Sequence, residues 1–209
     1  MSPIKESSDE LNPPVVTTGV FIARAGSRRT FTDYVALAVA TCGMGFMPVA
    51  PGTWGSAVGV LLFLILHALG VRLFALYGFI GEHSFNAVKV ESLFVAGLLG
   101  LIVAVTLPGI WAATRAETLL GRKDPGAVVI DEVAGQLIAF LFVPFGAGLS
   151  WWTVAAGFLL FRLFDIWKPY PIRRLEALQS GLGIMADDVL AGIYAAIVMA
   201  FGLGLFSLL

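Results

Sequence analysis

Asp124-Pro125-Gly126-Ala127-Val128-Val129-Ile130-Asp131-Glu132-Val133-Ala134-Gly135-Gln136 sets two adjacent carboxylates inside an apolar run that continues to Phe145. An ionised acid near lipid costs about 2.5–3.5 kcal/mol on insertion scales, so such groups usually face a polar site. Asp124 before Pro125 reads as an N-cap with proline at the first helical position. Asp131 and Glu132 are then expected one to two turns inside a membrane-entering helix. Neighbours on a helix diverge by about 100°, so one acid can face a site while the other pairs elsewhere.

The rest of the chain makes that setting a membrane. Hydrophobic residues are 58% of the 209, charged residues 13%, and mean hydropathy is +0.91. Apolar runs reach membrane-spanning length, for which roughly 20 residues are needed. These values exclude an ordinary soluble domain, and no basic excess or base-stacking module points to nucleic acid. The single Cys42 rules out an intrachain disulfide. The N-terminus carries no apolar h-region of a cleavable signal.

Residues 1–30, rich in Ser, Pro, Thr and charge, read as a flexible cytoplasmic arm, and 31–209 as a membrane-embedded domain. The apolar stretch 34–47 is too short to span and suggests an interfacial or re-entrant piece. Pro48-Val49-Ala50-Pro51-Gly52-Thr53-Trp54-Gly55-Ser56 breaks it. Thr53 can cap the next helix there, and the small residues and hydroxyls suit a phosphate cradle or simple close packing. Spans are expected at 54–71, 93–114 with a kink at Pro108, 125–145, 149–164 and 189–209. The connections are 81–91, a basic-acidic loop 115–123, a short turn at 144–148, and a Pro-interrupted segment 165–174. His67, in mid-span, reads as a packing residue. The fold expected is an all-α polytopic bundle of about five spans.

Charge orients it. Of the 13 basic residues, 11 fall in the arm, in 115–123 and in 162–174, leaving Arg72 and Lys89 on the other side. The positive-inside rule puts these segments in the cytoplasm. Parity then brings the motifs around Thr53, Asp131, Asp165 and Asp187 to one cytoplasmic face.

Five carboxylates gather there, Asp131, Glu132, Asp165, Asp187 and Asp188, beside Arg162, Lys168, Arg173 and Arg174. All-oxygen ligands favour Mg²⁺, Mn²⁺ or Ca²⁺ over zinc. A metal with flanking cations suits the charge of a transferring phosphoryl group. Other schemes fail on spacing. Pro48 stands where a Cys-x5-Arg phosphatase loop from Cys42 needs arginine, and His67 and His83 lie away from the motif face. No Walker loop, nucleophile elbow or Asp-x-Asp motif is present.

Pro51-Gly52-Thr53-x-Gly55-Ser56, Asp131-Glu132-x2-Gly135, Phe164-Asp165-x2-Lys168-Pro169-x-Pro171-Ile172 and Gly183-Ile184-Met185-x-Asp187-Asp188-x2-Ala191-Gly192 resemble the bacterial phosphatidylglycerophosphatase A family. The resemblance runs from about Phe46 to Tyr194 and leaves the arm outside. It implies a Mg²⁺-dependent inner-membrane enzyme whose substrate is a membrane phospholipid, phosphatidylglycerophosphate, hydrolysed to phosphatidylglycerol. Residues and resemblance together suggest that Asp131, Asp165 and Asp188 or Asp187 hold Mg²⁺. Lys168 and a nearby arginine, Arg162 or Arg173, would then stabilise developing charge, with Thr53 and Ser56 seating the phosphate. Water attack is the preferred scheme and an aspartyl-phosphate the alternative; Glu132 is general base or partner of Lys168. A lipid phosphotransferase would show Asp-Gly-x2-Ala-Arg…Asp-x3-Asp, which is missing. A transporter would keep its charges near the midplane. Oligomeric state is not legible in the residues.

Overall fold

A computed structural model describes residues 29–79, 87–146, 149–175 and 177–206. Most of the expected arm, most of the 81–91 connection with His83, and Gly148 of the short turn lie outside the described residues. Within them all regular structure is helical, with no strand. The helices are α1 (Phe31–Thr41), α2 (Pro51–Phe79), α3 (Ala87–Leu120), α4 (Ile130–Ala139), α5 (Trp151–Trp167), α6 (Ile172–Leu175) and α7 (Ser180–Phe206).

Among the described residues three helices, against the about five spans expected, are long and apolar enough to cross a membrane: Pro51–Leu76, Val88–Leu120 and Ser180–Phe206. At 1.5 Å per residue, the 29, 34 and 27 residues of α2, α3 and α7 reach about 43, 51 and 40 Å, beyond a hydrocarbon core of about 30 Å. Their outer faces are apolar at helical spacing. Leu61, Ile65, Leu69, Leu73 and Leu76 are exposed along α2, and Leu99, Val103, Leu107 and Trp111 along α3. Apolar stripes of this length are stable against lipid rather than water. Exposed Trp151 and Trp152 lie at the start of α5, with Trp167 and Tyr170 at its other end, as in an aromatic belt.

The two remaining expected spans are shorter helices. α5 has 17 residues and α4 only 10. Every α4 residue except Glu132 is buried, because α1, α2, α3, α5 and α7 all pack on it. A helix walled in by other helices needs no lipid-spanning length. α1 agrees with the short piece expected at 34–47. Its Thr30–Asp33 capping box is complete, and Asp33 Oδ1 accepts from Arg115 Nε at 2.7 Å, tying α1 to α3. Hydrogen bonds from Thr30, then Arg115, hold the Asp33 carboxyl down at about 2.

Several boundaries differ from expectation for tertiary reasons. Asp124 is no N-cap: it adopts φ 47°, and its N–H donates to Glu117 Oε1. The chain then makes a turn, Val128 N–H donating to Pro125 O at 2.8 Å, Val129 N–H bonds Ala40 O at 2.9 Å, and α4 starts at Ile130. Asp131 and Glu132 therefore occupy its first turn, where the helix dipole favours negative charge. Thr53 is not a cap either; α2 begins at Pro51, and Thr53 N–H bonds Ala50 O. The expected loop 115–123 is helical to Leu120, with Gly121 at φ 65° ending it. α7 begins at Ser180, so Asp187 and Asp188 lie about two turns inside a helix rather than before one. Pro108 lies within α3, and His67 packs among Phe63, Phe94 and Phe145.

Glycine sets how closely α4 is held. A Cβ on Gly55 would fall 2.7 Å from Val129 O, and one on Gly59 2.7 Å from Gln136 Cβ. On the opposite side, a Cβ on Gly192 would overlap Gly135 O, and one on Gly135 would strike the Phe161 ring and Asp188 O. The backbones of α4 and α7 thus approach through paired glycines, which carries the carboxylates of both helices into one place.

Candidate active site

Asp131 and Glu132 on α4 and Asp188 on α7 each offer a carboxylate oxygen, and the three oxygens lie within 4.8 Å of one another. Asp131 and Asp188 are buried, and Glu132 is partly so. Asp131 Oδ1 and Glu132 Oε2 are buried without a hydrogen-bond partner. Like charges this close repel strongly in a low dielectric. Three acids turned together, two of them with an orphaned oxygen, are the arrangement that a hard cation relieves. The donor set, all oxygen, fits Mg²⁺ or Mn²⁺.

Around this group stand the other sequence-selected residues. Asp165, near the end of α5, lies against Asp188 and pairs with Arg162 Nη1 at 2.6 Å. It stands beside the three-oxygen group, whereas Glu132 is inside it. Lys168 holds Asp187 at 2.6 Å, and Asp187 Oδ1 accepts the Asp188 N–H. Lys168 therefore pairs with Asp187 in this structure; Glu132 instead meets Gly52 and Arg162. A Cβ on Gly52 would overlap Glu132 Oε1 and sit 3.2 Å from Arg162 Nη1. Glycine alone lets the first turn of α2 press on this carboxylate. Lys168 itself takes φ 45° at the C-cap of α5, which turns the chain so that its ammonium reaches α7.

The remaining selected residues sit further out or are otherwise engaged. Ser56 is fully buried and donates to Gly52 O at 3.0 Å, bracing the α2 turn that meets Glu132. Thr53 is exposed on that same turn. Arg173 is exposed and donates to Trp167 O, while Arg174 lies over the Tyr170 ring. Cys42 Sγ bonds Val39 O, and burial, then Glu132, pushes its thiol up to about 11. A thiol so placed is a poor nucleophile.

Two buried acids escaped the sequence reading, Asp33 of α1 and Glu117 of α3. Glu117 is 2% exposed; its oxygens accept from Asp124 N–H and Ser180 Oγ, fastening the end of α3 to the start of α7. Its signal was the helix-forming run through Ala116, Leu119 and Leu120 up to Gly121, read as loop because of its charges.

The fold and site define a helical membrane protein with an acid-rich, cation-competent centre at one end of its bundle. The model of the family phosphatidylglycerophosphatase A matches residues 37–203, and the chain belongs to that family. It is 39% identical over 158 residues to a Bacteroides thetaiotaomicron protein named putative phosphatidylinositol-3-phosphatase, covering 76% of this chain and 86% of that one. It is 37% identical over 159 residues to phosphatidylglycerophosphatase A of Haemophilus influenzae, covering 75% and 81%. With the Escherichia coli protein of the same name, identity is 30% over 160 residues, covering 76% and 77%. No solved structure matches.

Proposed function

We propose that the chain hydrolyses phosphatidylglycerophosphate to phosphatidylglycerol and phosphate, with Mg²⁺ held by Asp131, Glu132 and Asp188. Family membership supports the reaction. The observation that supports the cation is the trio of oxygens within 4.8 Å, two of the three residues carrying an unpartnered buried oxygen. When bound, the ion would supply Lewis-acid stabilisation of the phosphoryl oxygens.

The chain's own residues do the rest. Arg162, one donor committed to Asp165, has further N–H groups to offer a phosphate oxygen at the Gly52 edge. Lys168, fixed by Asp187, brings a second positive charge to the same side. Water attacks phosphorus in line with the glycerol oxygen; the P–O bond to glycerol breaks, and the leaving oxygen takes up a proton. Asp165 stands outside the cation group, and we assign it to fixing Arg162. Thr53 and Arg173 are exposed at the rim, where a headgroup entering from the interface first meets protein.

We place the protein in the bacterial inner membrane with the site toward the cytoplasm, supported by 11 of 13 basic residues on that side. A cysteine at Gln179 in a Cys42→Ser chain should then label from the cytoplasm only; labelling only from the opposite side would invert this topology. The deciding assay is phosphate release by the purified protein from phosphatidylglycerophosphate in mixed micelles, with phosphatidylinositol 3-phosphate beside it. Turnover of the former, abolished by chelation and restored by Mg²⁺, is the result expected. The name of the Bacteroides relative makes the inositol lipid the second reading, and preferential turnover of that lipid would establish it.

A further inference from the structure

Gln136 is fully buried, and neither its amide nitrogen nor its amide oxygen has a hydrogen-bond partner. It lies on α4 one turn beyond Glu132, and residues four apart on a helix are side-chain neighbours. Both side chains face α2: Glu132 beneath Gly52 and Gly55, Gln136 against Gly59. Glu132 Oε2 is itself buried and unpartnered. A donor without an acceptor and an acceptor without a donor thus stand one turn apart on the same helix face, closed off by the same neighbour. A buried amide without partners is unfavourable, and leucine would fill the place without that cost.

We propose that Gln136 is a positioning residue for the cation site. Its amide N–H, directly or through one water, holds one oxygen of the Glu132 carboxylate when the three-carboxylate group is occupied, leaving the other oxygen for the cation. Gln136 touches neither substrate nor cation; it acts through Glu132. The inference rests on the reading of that group as a cation site. It adds the residue that fixes the orientation of one ligand, a role whose loss typically lowers metal affinity 10- to 100-fold.

The test uses the full chain in lipid nanodiscs. Wild-type protein is first titrated with Mn²⁺ by electron paramagnetic resonance; absence of tight binding would overturn the cation reading itself, and this inference with it. Given binding, Gln136→Leu should lower Mn²⁺ affinity at least tenfold while the metal-free protein melts no lower than wild type. In a Glu132→Gln background the same substitution should change affinity less than twofold, since the pair is already broken. Unchanged affinity with a raised melting temperature would show a mere orphaned amide and overturn the proposal. A measurement on unaltered Gln136 covers the case in which leucine prevents folding. The chain has two glutamines, Gln136 and Gln179. Selective ¹⁵N-glutamine labelling therefore gives two side-chain amide signals, and Gln179→Glu assigns them. Mg²⁺ should shift the Gln136 signal; a signal indifferent to saturating Mg²⁺ refutes the contact.

Discussion

Replacing Gly52 by alanine adds one methyl group where the structure has no room. The new Cβ would overlap Glu132 Oε1 and stand 3.2 Å from both Glu132 Cδ and Arg162 Nη1. Real Cβ atoms essentially never come within 3.0 Å of another heavy atom. The flexible carboxylate must therefore give way, by about 1 Å, away from the position it shares with Asp131 and Asp188. A misplacement of about 1 Å at a reacting site can cost about 10² in rate, equivalent to about 2.7 kcal/mol of barrier. The backbone does not object, because Gly52 has an ordinary negative φ and alanine is the better helix former by about 0.5–1 kcal/mol. Gly52→Ala should accordingly lose about 100-fold in kcat for phosphate release while melting within a few degrees of wild type. Gly202→Ala, with nothing within 4 Å of its Cβ, should keep full activity. Wild-type kcat in Gly52→Ala, with normal folding, would refute the placing of Glu132 in the working site.

Asp131→Asn and Asp188→Asn should each lower phosphate release at least 10²-fold with membrane insertion intact, since each removes a buried charge rather than adding one; residual activity above a tenth of wild type would count against the cation group. Lys168→Met strands buried Asp187 and should destabilise by about 3 kcal/mol, read as a lowered melting temperature that Asp187→Asn in the same chain largely restores. The carboxyl of Asp33 is held at about 2, so its stabilising effect is full above the ordinary value of 3.8 and lost as pH falls through about 2; acid unfolding curves of wild type and Asp33→Asn should converge at the low end. Cys42→Ser should retain activity and make it indifferent to thiol reagents, a loss of turnover with normal folding being the contrary result.

The helical membrane class, the site-bearing segments and the carboxylates were legible in the sequence because apolar runs and isolated acids are local signals. Helix starts were not. Asp124-Pro125 has the chemistry of an N-cap, yet Glu117 takes the Asp124 N–H, Pro125 O that of Val128 and Ala40 O that of Val129, so a turn intervenes and the helix waits until Ile130. Partner choice was likewise invisible. The sequence offers Glu132 as a partner of Lys168; the left-handed turn at Lys168 and the glycine contact between α4 and α7 give it Asp187 instead. The same contact, with Gly52 from α2, brings Glu132 into the oxygen group and leaves Asp165 at its edge with Arg162. Ser56 looked like a phosphate ligand because hydroxyls at a helix start often are; here it donates to the backbone one turn back.

The glycine contacts on both flanks of α4 also say where this scaffold can change its diet. Gly52, Gly55 and Gly59 leave no methyl's width on one side, and Gly135 with Gly192 leaves none on the other. Any residue that enlarged or reshaped the centre from those walls would first pry apart the helices that bring its acids together. Chemistry and architecture are written in the same positions, so drift there is fatal rather than innovative. For the proposed site this leaves headgroup preference to be sought in exposed residues such as Thr53 and Arg173, which can be exchanged without moving a helix.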